Sequence, residues 1–309
     1  MAESKWMIEL DGDTPLDEAA RQVLAQRLSI VPERLAGALA EADLDLEHVH
    51  QLRVATRRAG AALAVFSGCL PPRDFERARR RLRRLRRAAG AARDADVFVA
   101  MIAARSTRVR SDQRPGLDYL LGFASGQRAA AQQNLIRATH RKPHDWQQYF
   151  ADVLDAVTQP DEPRTLGRLA RPHLARLVAD LESAARQDLQ EYEHLHQVRI
   201  LGKQLRYAME IFAGCHQAEF RECFYPAIVE MQEILGDAND SYVASNRLSK
   251  LRANLEATQP RFWKRLRAGL DGVLHYHQRR LPRCRRQFQD WWRRWLELNM
   301  VGHLQLFVA

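Results

Sequence analysis

The sequence predicts an all-α protein made of two helical-bundle repeats, and three observations lead to that fold class. Apolar residues recur at helical spacing along almost the whole chain, and no convincing stretch alternates with a period of two. Proline, glycine and capping residues interrupt this pattern where helices should begin and end. A block of the first half also returns in the second half of the 309-residue chain at a constant spacing.

The first two helices are predicted from their start and stop signals. Thr14 and Pro15 precede an acidic first turn and a long apolar stripe, a pattern typical of a capped helix start. Cap-forming acids within 43–47 separate this helix from a second one over 47–66. The segment 67–72, which contains glycine and two prolines, ends the second helix.

The remaining elements follow in order along the chain. A third helix is predicted over 73–89, because Gly90 is the residue type that most often ends a helix in a left-handed conformation. Another helix should start near Asp94. Further predicted elements are a long helix over 115–139, a short helix between the proline-containing segments 142–143 and 159–163, and a long helix over 166–189.

Composition excludes several classes of protein. The chain is 46% hydrophobic and 28% charged, as is typical of soluble globular proteins. No segment reaches the roughly 20 consecutive apolar residues that span a membrane, and the N-terminus lacks the basic and apolar regions of a secretory signal. The four cysteines form no C-x-x-C pair. They fit a reducing compartment, so we expect a cytoplasmic protein.

Positive charge is concentrated in two windows of the chain. The whole sequence has 48 basic and 38 acidic residues, a net charge of +10. Residues 50–93 carry 13 arginines against two acids, and residues 261–294 carry 11 basic residues against two acids. A general preference for arginine explains why arginine replaces lysine, but not why the arginines cluster. Two basic patches on an otherwise acidic chain predict an anionic partner at defined places.

The internal repeat is an ungapped match. His-Gln-Leu-Arg-Val at 50–54 corresponds to His-Gln-Val-Arg-Ile at 196–200, which lies 146 positions later, and a Phe-x-Gly-Cys turn follows both copies in the same register. We therefore predict a first repeat over 14–140, a linker segment with a short helix over 141–164, and a second repeat over 165–295. Duplicated units commonly pack about a pseudo-two-fold axis, which would bring equivalent faces together around a basic central groove.

The repeated helix presents a basic stripe. At about 100° per residue, the motif histidine and the basic residues that follow it lie along one side of each copy. Apolar residues border this side on both edges, which fits the wall of a groove between packed helices better than a solvated face. Like charges there repel unless something compensates them. Either an anion site or a structural ion-pair network with Glu210, Asp94 and Asp240 accounts for the stripe. Its members are His50, Arg53 and Arg57 in the first copy, and His196, Arg199, Lys203 and Arg206 in the second.

The arginine run over 77–87 divides into two groups on the helical wheel. Arg79, Arg83 and Arg86 flank the buried face and are the better ligand candidates, whereas the outward-pointing arginines form solvated surface. The outward group comprises Arg77, Arg80, Arg84 and Arg87. Because the flanking positions correspond in the second repeat to Tyr225, Val229 and Gln232, the predicted site is asymmetric.

These motifs resemble the CHAD domain, the conserved histidine α-helical domain. The resemblance spans nearly the whole chain as one domain, and the E-x-E-x-K strand of the triphosphate-tunnel domain often fused to CHAD is missing, as in a stand-alone form. The resemblance implies two helical bundles around a basic groove that binds inorganic polyphosphate without hydrolysing it. Some members associate with polyhydroxyalkanoate storage granules. The matching patterns are His50-x-x-Arg53-Val54-x-x-Arg57-Arg58 with Leu82-x-x-Leu85-Arg86-x-x-x-Gly90-x-x-Arg93-Asp94, and His196-x-x-Arg199-Ile200-x-x-Lys203-x-x-Arg206-Tyr207 with Gln232-x-x-Leu235-Gly236-x-x-Asn239-Asp240.

The resemblance, together with the helical wheel, gives a set of expected polyphosphate ligands. Arginine presents a planar fork to phosphate oxygens, and several forks in register give a multidentate grip. The two histidines either donate to bound phosphate when protonated or hydrogen-bond to a neighbouring helix. The expected ligands are His50, Arg53, Arg57, Arg58, Arg79, Arg83, Arg86, His196, Arg199, Lys203, Arg206 and Tyr207.

We expect a binding protein rather than an enzyme, with no metal or cofactor, located in the cytoplasm or at storage granules. Binding of nucleic acid or of an acidic protein is the alternative. The basic stripes, however, lack interleaved stacking aromatics, and no known nucleic-acid motif occurs. Tryptophans in the second basic window either pack the last helices or meet a granule surface or acidic partner. Metal-dependent phosphohydrolysis is less favoured, because no P-loop occurs and helix starts explain the candidate acids more simply. Those acids are Asp94, Asp96, Asp237 and Asp240.

Overall fold

The computed structural model describes residues 5–7, 9–42, 45–107, 109–139, 143–159, 164–300 and 302. Within these ranges the chain forms nine α-helices and no β-strand, which confirms the predicted all-α class. The helices are α1 (Leu16–Ala40), α2 (Glu47–Val65), α3 (Pro72–Ser106), α4 (Arg114–Ala138), α5 (Pro143–Asp155), α6 (Leu166–Ala185), α7 (Tyr192–Ile211), α8 (Tyr225–Thr258) and α9 (Pro260–Glu297).

Proline marks several of the helix starts. It stands in the first turn of α3, α4, α8 and α9, where its fixed φ suits the helix and its missing N–H has no intrahelical partner to lose. Single 3₁₀ turns over Ser67–Cys69 and Ala213–Cys215 follow α2 and α7. Throughout the described ranges, every helix is too short or too polar to cross a lipid bilayer.

The helices enclose two hydrophobic cores. The larger core lies among α1, α2, α5, α6, α7 and parts of the longer helices. The smaller core is a four-helix bundle in which α3, α4, α8 and α9 pack around Ile102, Leu120 and Leu270. At one crossing in this bundle, a Cβ built on Gly116 would meet the backbone of Gly269, so α4 and α9 approach each other closely.

Helix ends recur at the spacing of the sequence repeat. The helix α2 ends at Val65 and α7 ends at Ile211, which is 146 positions later. The helix α4 begins at Arg114 and α9 begins at Pro260, again 146 positions later. The recurrence extends the match from sequence motifs to secondary structure.

The two halves contact each other through equivalent helices. The helix α2 packs against α7, and α4 packs against α9. The starts of α1 and α6 are also joined, because the amide of Leu16 donates to the carbonyl of Arg164 and the amide of Leu166 donates to that of Thr14, both at 2.9 Å. The pseudo-two-fold axis and the repeat limits stay predictions.

The predicted helix end at Gly90 and the predicted helix start near Asp94 are both wrong, because one helix continues through both positions. The helix α3 runs without interruption from Pro72 to Ser106, so Gly90 lies in its interior, and Gly236 lies inside α8 in the same way. A Cβ at position 90 would collide with the guanidinium of Arg53 from α2. Glycine at position 90 leaves room for this guanidinium and does not form a left-handed turn, and it costs roughly 0.5–1 kcal/mol relative to alanine.

The predicted linker contains α5, which packs as part of the larger core. This helix contacts α1 and α3 and buries Tyr149 and Phe150. The guanidinium carbon of Arg81 lies 3.7 Å from the centroid of the Tyr149 ring, in a cation–π contact. The segment between the repeats thus covers one side of the first repeat.

Candidate anion-binding site

Cations from both halves of the chain lie together where α2 packs against α7. The helix α2 supplies Arg53 and Arg57, and α7 supplies Arg199 and Lys203. Across the helix contact, each α2 arginine repels both Arg199 and Lys203. All four side chains are half-buried. These four residues are called the cationic cluster below.

The cationic cluster is electrostatically unfavourable by itself. Burial, together with the guanidinium groups of Arg57, Arg199 and Arg53, lowers the pKa of Lys203 to about 6. Burial and the charge of Arg57 lower the pKa of Arg53 to about 10, and the same two causes lower the pKa of Arg199. Shifts of this sign arise when charged forms are both desolvated and close to like charges. An anion bound among the four residues would offset both the desolvation of their charged forms and the repulsion between them.

Two carboxylates offset the cationic cluster only in part. A carboxylate oxygen of Asp94 lies 3.5 Å from Nη2 of Arg53, but the side chain of Asp94 is 61% exposed. Asp240, also exposed, raises the pKa of Arg53, Arg199 and Lys203. Ion pairs that involve solvated carboxylates are weak because water screens them. These two acids therefore account for the rim of the cluster and leave its centre positively charged.

Glu210 is the centre of a separate, buried network. Its carboxylate is only 1% exposed and accepts hydrogen bonds of 2.8 Å from Nε of Arg58 and from the hydroxyl of Tyr225. Nε of Arg206 lies 3.7 Å from the same carboxylate. We call these four residues the Glu210 network. It joins α2 to α7 beside the cationic cluster, and it occupies Arg58 and Arg206, which the sequence places among the ligands.

Part of the arginine run on α3 adjoins the cationic cluster. Partial desolvation of its guanidinium lowers the pKa of Arg86, and the charges of Arg57 and Arg83 act in the same direction, while Tyr207 of α7 opposes them. Arg86 and Arg83 are exposed, whereas Tyr207 is buried. These arginines therefore extend the positive surface outward from Arg57, from the cluster towards solvent.

Arg79 belongs to a different part of the surface. Its Nη1 donates to Glu76 at 2.9 Å, and its side chain is 56% exposed. Glu76 precedes Arg79 by three residues, a spacing that makes the two side chains neighbours on the surface of α3. Arg79 is consequently a solvated ion-pair partner in the structure.

Comparison with known proteins decides the family. The CHAD domain profile matches residues 22–249, well over half of the chain. The chain belongs to the CHAD domain family. Its structure is similar to the crystal structure of the CHAD domain from the plant Ricinus communis, with a TM-score of 0.69 and 25% identity over 91% of this chain and 93% of that chain.

A second solved structure extends the comparison of folds. PptA from Streptomyces chartreusis matches with a TM-score of 0.65 and 17% identity, over 91% of this chain and 100% of that one. At this identity the likeness shows a shared fold. No curated protein sequence matches this CHAD domain.

The two motif histidines of this CHAD domain lie beside the cationic cluster. Burial lowers the pKa of His50, and the charges of Arg93, Arg57 and Arg53 contribute in the same direction. Burial followed by the charges of Arg199 and Lys203 lowers the pKa of His196. Both imidazoles are therefore mainly neutral at pH 7, and donation from both ring nitrogens to a phosphate would require that the phosphate raise their pKa. Nδ1 of His196 also lies 3.4 Å from the hydroxyl of Tyr192.

Sequence reasoning missed an aromatic pair next to the cationic cluster. The ring of Tyr192 stacks on that of Tyr242 with centroids 3.4 Å apart, and its hydroxyl donates to Oδ1 of Asn239 at 3.1 Å. Burial raises the pKa of Tyr192 to about 12, and Arg199 opposes that rise. Tyr192 precedes His196 by four residues, a spacing that places both on one face of α7 and could have identified it.

The four acids considered as metal ligands lie inside α3 and α8, so the explanation that they mark helix starts is wrong, and three of them pair with different basic side chains. The buried Asp96 accepts a hydrogen bond of 2.8 Å from Nε of Arg128, and Asp237 pairs with Arg280. In the part of the chain that the structure describes, no three His, Cys, Asp or Glu side chains are grouped so as to hold a metal ion.

The tryptophans of the second basic window pack inside the CHAD domain. Trp263, Trp291 and Trp295 are buried, and Trp292 packs against the larger core. The ring of Trp291 stacks on that of Trp295 with centroids 5.1 Å apart, and its Nε1 donates to the carbonyl of Ala227 at 3.1 Å. Packing of the last helices, the first of the two roles considered for them, is confirmed.

Proposed function

We propose that this CHAD domain binds inorganic polyphosphate, without hydrolysing it, in a basic groove centred on the cationic cluster. The observation that carries the proposal is the meeting of four half-buried basic side chains, two from each repeat, which the exposed carboxylates of Asp94 and Asp240 offset in part. The CHAD family is linked to polyphosphate, which agrees with the sign and arrangement of these charges.

Polyphosphate suits this arrangement chemically. It is a flexible chain with a negative charge on every unit, so consecutive phosphates can neutralise neighbouring cations in turn. Arginine forks bind phosphate oxygens in pairs, and half-buried charges are screened less by salt than exposed ones. The central ligands in this proposal are Arg53, Arg57, Arg199 and Lys203, with His50, His196, Arg83, Arg86 and Tyr207 around them.

The Glu210 network has a positioning role in this proposal. Arg58 donates to the buried carboxylate of Glu210 and so holds α2 against α7, and Arg206 faces the same carboxylate from within α7, so neither is a phosphate ligand in this proposal. As a polyphosphate-binding protein, this CHAD domain would reside in the cytoplasm. Its proposed location is at storage granules, including the polyhydroxyalkanoate granules with which some CHAD proteins associate.

A competition between polyanions tests the proposed function. Long-chain polyphosphate and single-stranded RNA of equal total charge would be titrated against the protein at several salt concentrations. We expect tighter binding of polyphosphate that persists at moderate salt, because the central cations are half-buried. The recovered polyphosphate should keep its length, with magnesium present or absent. Equal affinities that vanish together with added salt would contradict the proposal and indicate general attraction between charges.

The affinity for polyphosphate should fall as the pH rises. Lys203 has a pKa of about 6 in the free protein, and a bound polyanion raises that pKa, so binding takes up a proton. Binding is then strongest below pH 6 and weakens between that pKa and the higher pKa of the complex. The uptake of one proton can change the affinity by at most tenfold per pH unit. We expect polyphosphate binding to be about tenfold weaker at pH 8 than at pH 6. The charged groups that act on Lys203 are Arg53 and Arg57 from α2, Arg199 from α7 and Asp240 from α8.

A variant with a permanent charge provides the control for this pH dependence. Lys203→Arg keeps a cation at the same place across the whole range, so the dependence above pH 7 should flatten. His50 and His196, whose pKa values burial lowers, are present in both proteins, so their contribution is the same in each. Isothermal titration calorimetry in buffers of different ionisation enthalpy measures the proton uptake directly. An identical pH profile for wild type and Lys203→Arg would contradict the assignment to Lys203.

A further inference from the structure

Lys203 differs chemically from the other members of the cationic cluster. The chain contains 43 arginines and only five lysines, and the position equivalent to Lys203 in the first repeat is Arg57. A guanidinium stays protonated and is not a nucleophile near neutral pH, whereas an amine becomes one as soon as it loses its proton. The cluster therefore includes one group that is capable of covalent chemistry.

The surroundings of Lys203 favour the reactive form of its amine. The side chain is half-buried and faces the guanidinium groups of Arg53, Arg57 and Arg199. Its pKa of about 6 leaves the amine mainly unprotonated at the pH of a cytoplasm. Desolvated lysines next to other cations are the usual activated amines of enzymes. Of the remaining lysines in the described ranges, Lys250 and Lys264 are exposed, and Nζ of Lys5 lies over the rings of Trp6 and Tyr225.

The same arginines that activate the amine also recruit a particular class of reagent. An electrophile that carries a phosphate group would be held by the guanidinium forks with its reactive carbon near Nζ of Lys203. Acyl phosphates combine a phosphate anion and an electrophilic carbonyl in one small molecule. This recruitment rests on the anion site of the proposed function, but it requires only a single phosphate and not a chain.

We propose that Lys203 is a modification site at which acyl phosphates acylate the side-chain amine, and that the acylation turns off anion binding in the groove. The lone pair of Nζ attacks the carbonyl carbon, a C–N bond forms, and the bond from that carbon to the phosphate oxygen breaks. Phosphate leaves with the bonding electrons and takes up the proton released by the amine. The product is a neutral amide, which can no longer be protonated when a polyanion binds.

Lysines within the same molecule provide the controls for a labelling experiment. The wild-type protein would be treated with acetyl phosphate at pH 7.5, and acetylation of Lys203, Lys250 and Lys264 would be followed over time by peptide mass spectrometry. We expect Lys203 to react at least about tenfold faster than the two exposed lysines. The amine of Lys203 is mainly unprotonated at this pH, and the lower nucleophilicity of a weakly basic amine, by analogy with thiols, offsets part of that gain.

Two further reagents separate recruitment from simple reactivity. Pyrophosphate should protect Lys203 and leave the labelling of Lys250 and Lys264 unchanged. The uncharged acetyl donor 4-nitrophenyl acetate should favour Lys203 over Lys250 and Lys264 less strongly than acetyl phosphate does. Equal labelling of the three lysines, or a preference that is the same for both donors and insensitive to pyrophosphate, would overturn the proposal.

A parallel polyphosphate titration distinguishes this inference from the proposed function. Polyphosphate binding without preferential labelling of Lys203 would overturn only the modification site, and preferential labelling without polyphosphate binding would overturn only the proposed function. The acetyl mimic Lys203→Gln should lower polyphosphate affinity about tenfold or more, since the neutral amide cannot form a charge-assisted hydrogen bond to phosphate. The matched change Lys250→Gln on an exposed part of α8 should alter it less than about twofold. Equal effects of the two changes would contradict the switch.

Discussion

Replacement of Arg199 and Lys203 together by alanine is expected to weaken polyphosphate binding about a hundredfold or more. Both side chains are half-buried in the cationic cluster, where little water screens them. Each charge-assisted hydrogen bond to phosphate is worth roughly 1.5–3 kcal/mol, so the loss of two such bonds corresponds to at least this factor. Equilibrium titration at moderate salt measures the effect.

The control for this double substitution removes the same formal charge from a solvated surface. Arg80 and Arg84 lie exposed on α3, and their replacement by alanine should cost less than about tenfold, mainly in association rate and mainly at low salt. Both double variants must show unchanged helicity and cooperative melting. Equal losses of affinity in the two variants would mean that long-range attraction, and not direct contact in a groove, determines binding.

Glu210→Gln is expected to lower the free energy of unfolding by roughly 3–5 kcal/mol, since removal of one partner of a buried ion pair leaves the other charge uncompensated. Arg58 is 15% exposed and Glu210 is 1% exposed, so water cannot replace the lost partner well. Arg206 loses the same carboxylate. The hydrogen bond from Tyr225 can persist to the amide oxygen, which limits the effect to charge. Urea denaturation at pH 7 measures the change.

An exposed ion pair supplies the matched control for Glu210. Nη2 of Arg294 lies 2.7 Å from the carboxylate of Glu230, with side chains 59% and 48% exposed. Glu230→Gln should therefore change the free energy of unfolding by less than about 1 kcal/mol. If Glu210→Gln were as mild as Glu230→Gln, the Glu210 network would not hold α2 against α7, and Arg58 and Arg206 would again be candidates for phosphate binding.

The centre of the site could be predicted from sequence because it depends on helical periodicity alone. The spacing of Arg53 with Arg57, and of Arg199 with Lys203, places each pair on one side of a helix. The repeat then suggests that the two sides face each other, and the contact between α2 and α7 agrees with that suggestion. Neither step needs any knowledge of side chains on other helices.

The assignment of Arg58 and Arg206 could not be made in the same way. The helical wheel shows the direction of a side chain, but it does not show which carboxylate from another helix meets it. Glu210 could be named as a possible partner, yet its burial and the hydrogen bond from Tyr225 depend on tertiary packing. Gly90 illustrates the same limit, since the local preference of glycine for helix ends is overridden by room for Arg53.

A crystal structure of the protein with bound polyphosphate tests the shared groove most directly. We expect one phosphate chain whose oxygens contact residues of both repeats at the same time, among them Arg53 or Arg57 from α2 and Arg199 or Lys203 from α7. A chain bound only along the exposed arginines of α3, or in contact with one repeat alone, would contradict the shared groove.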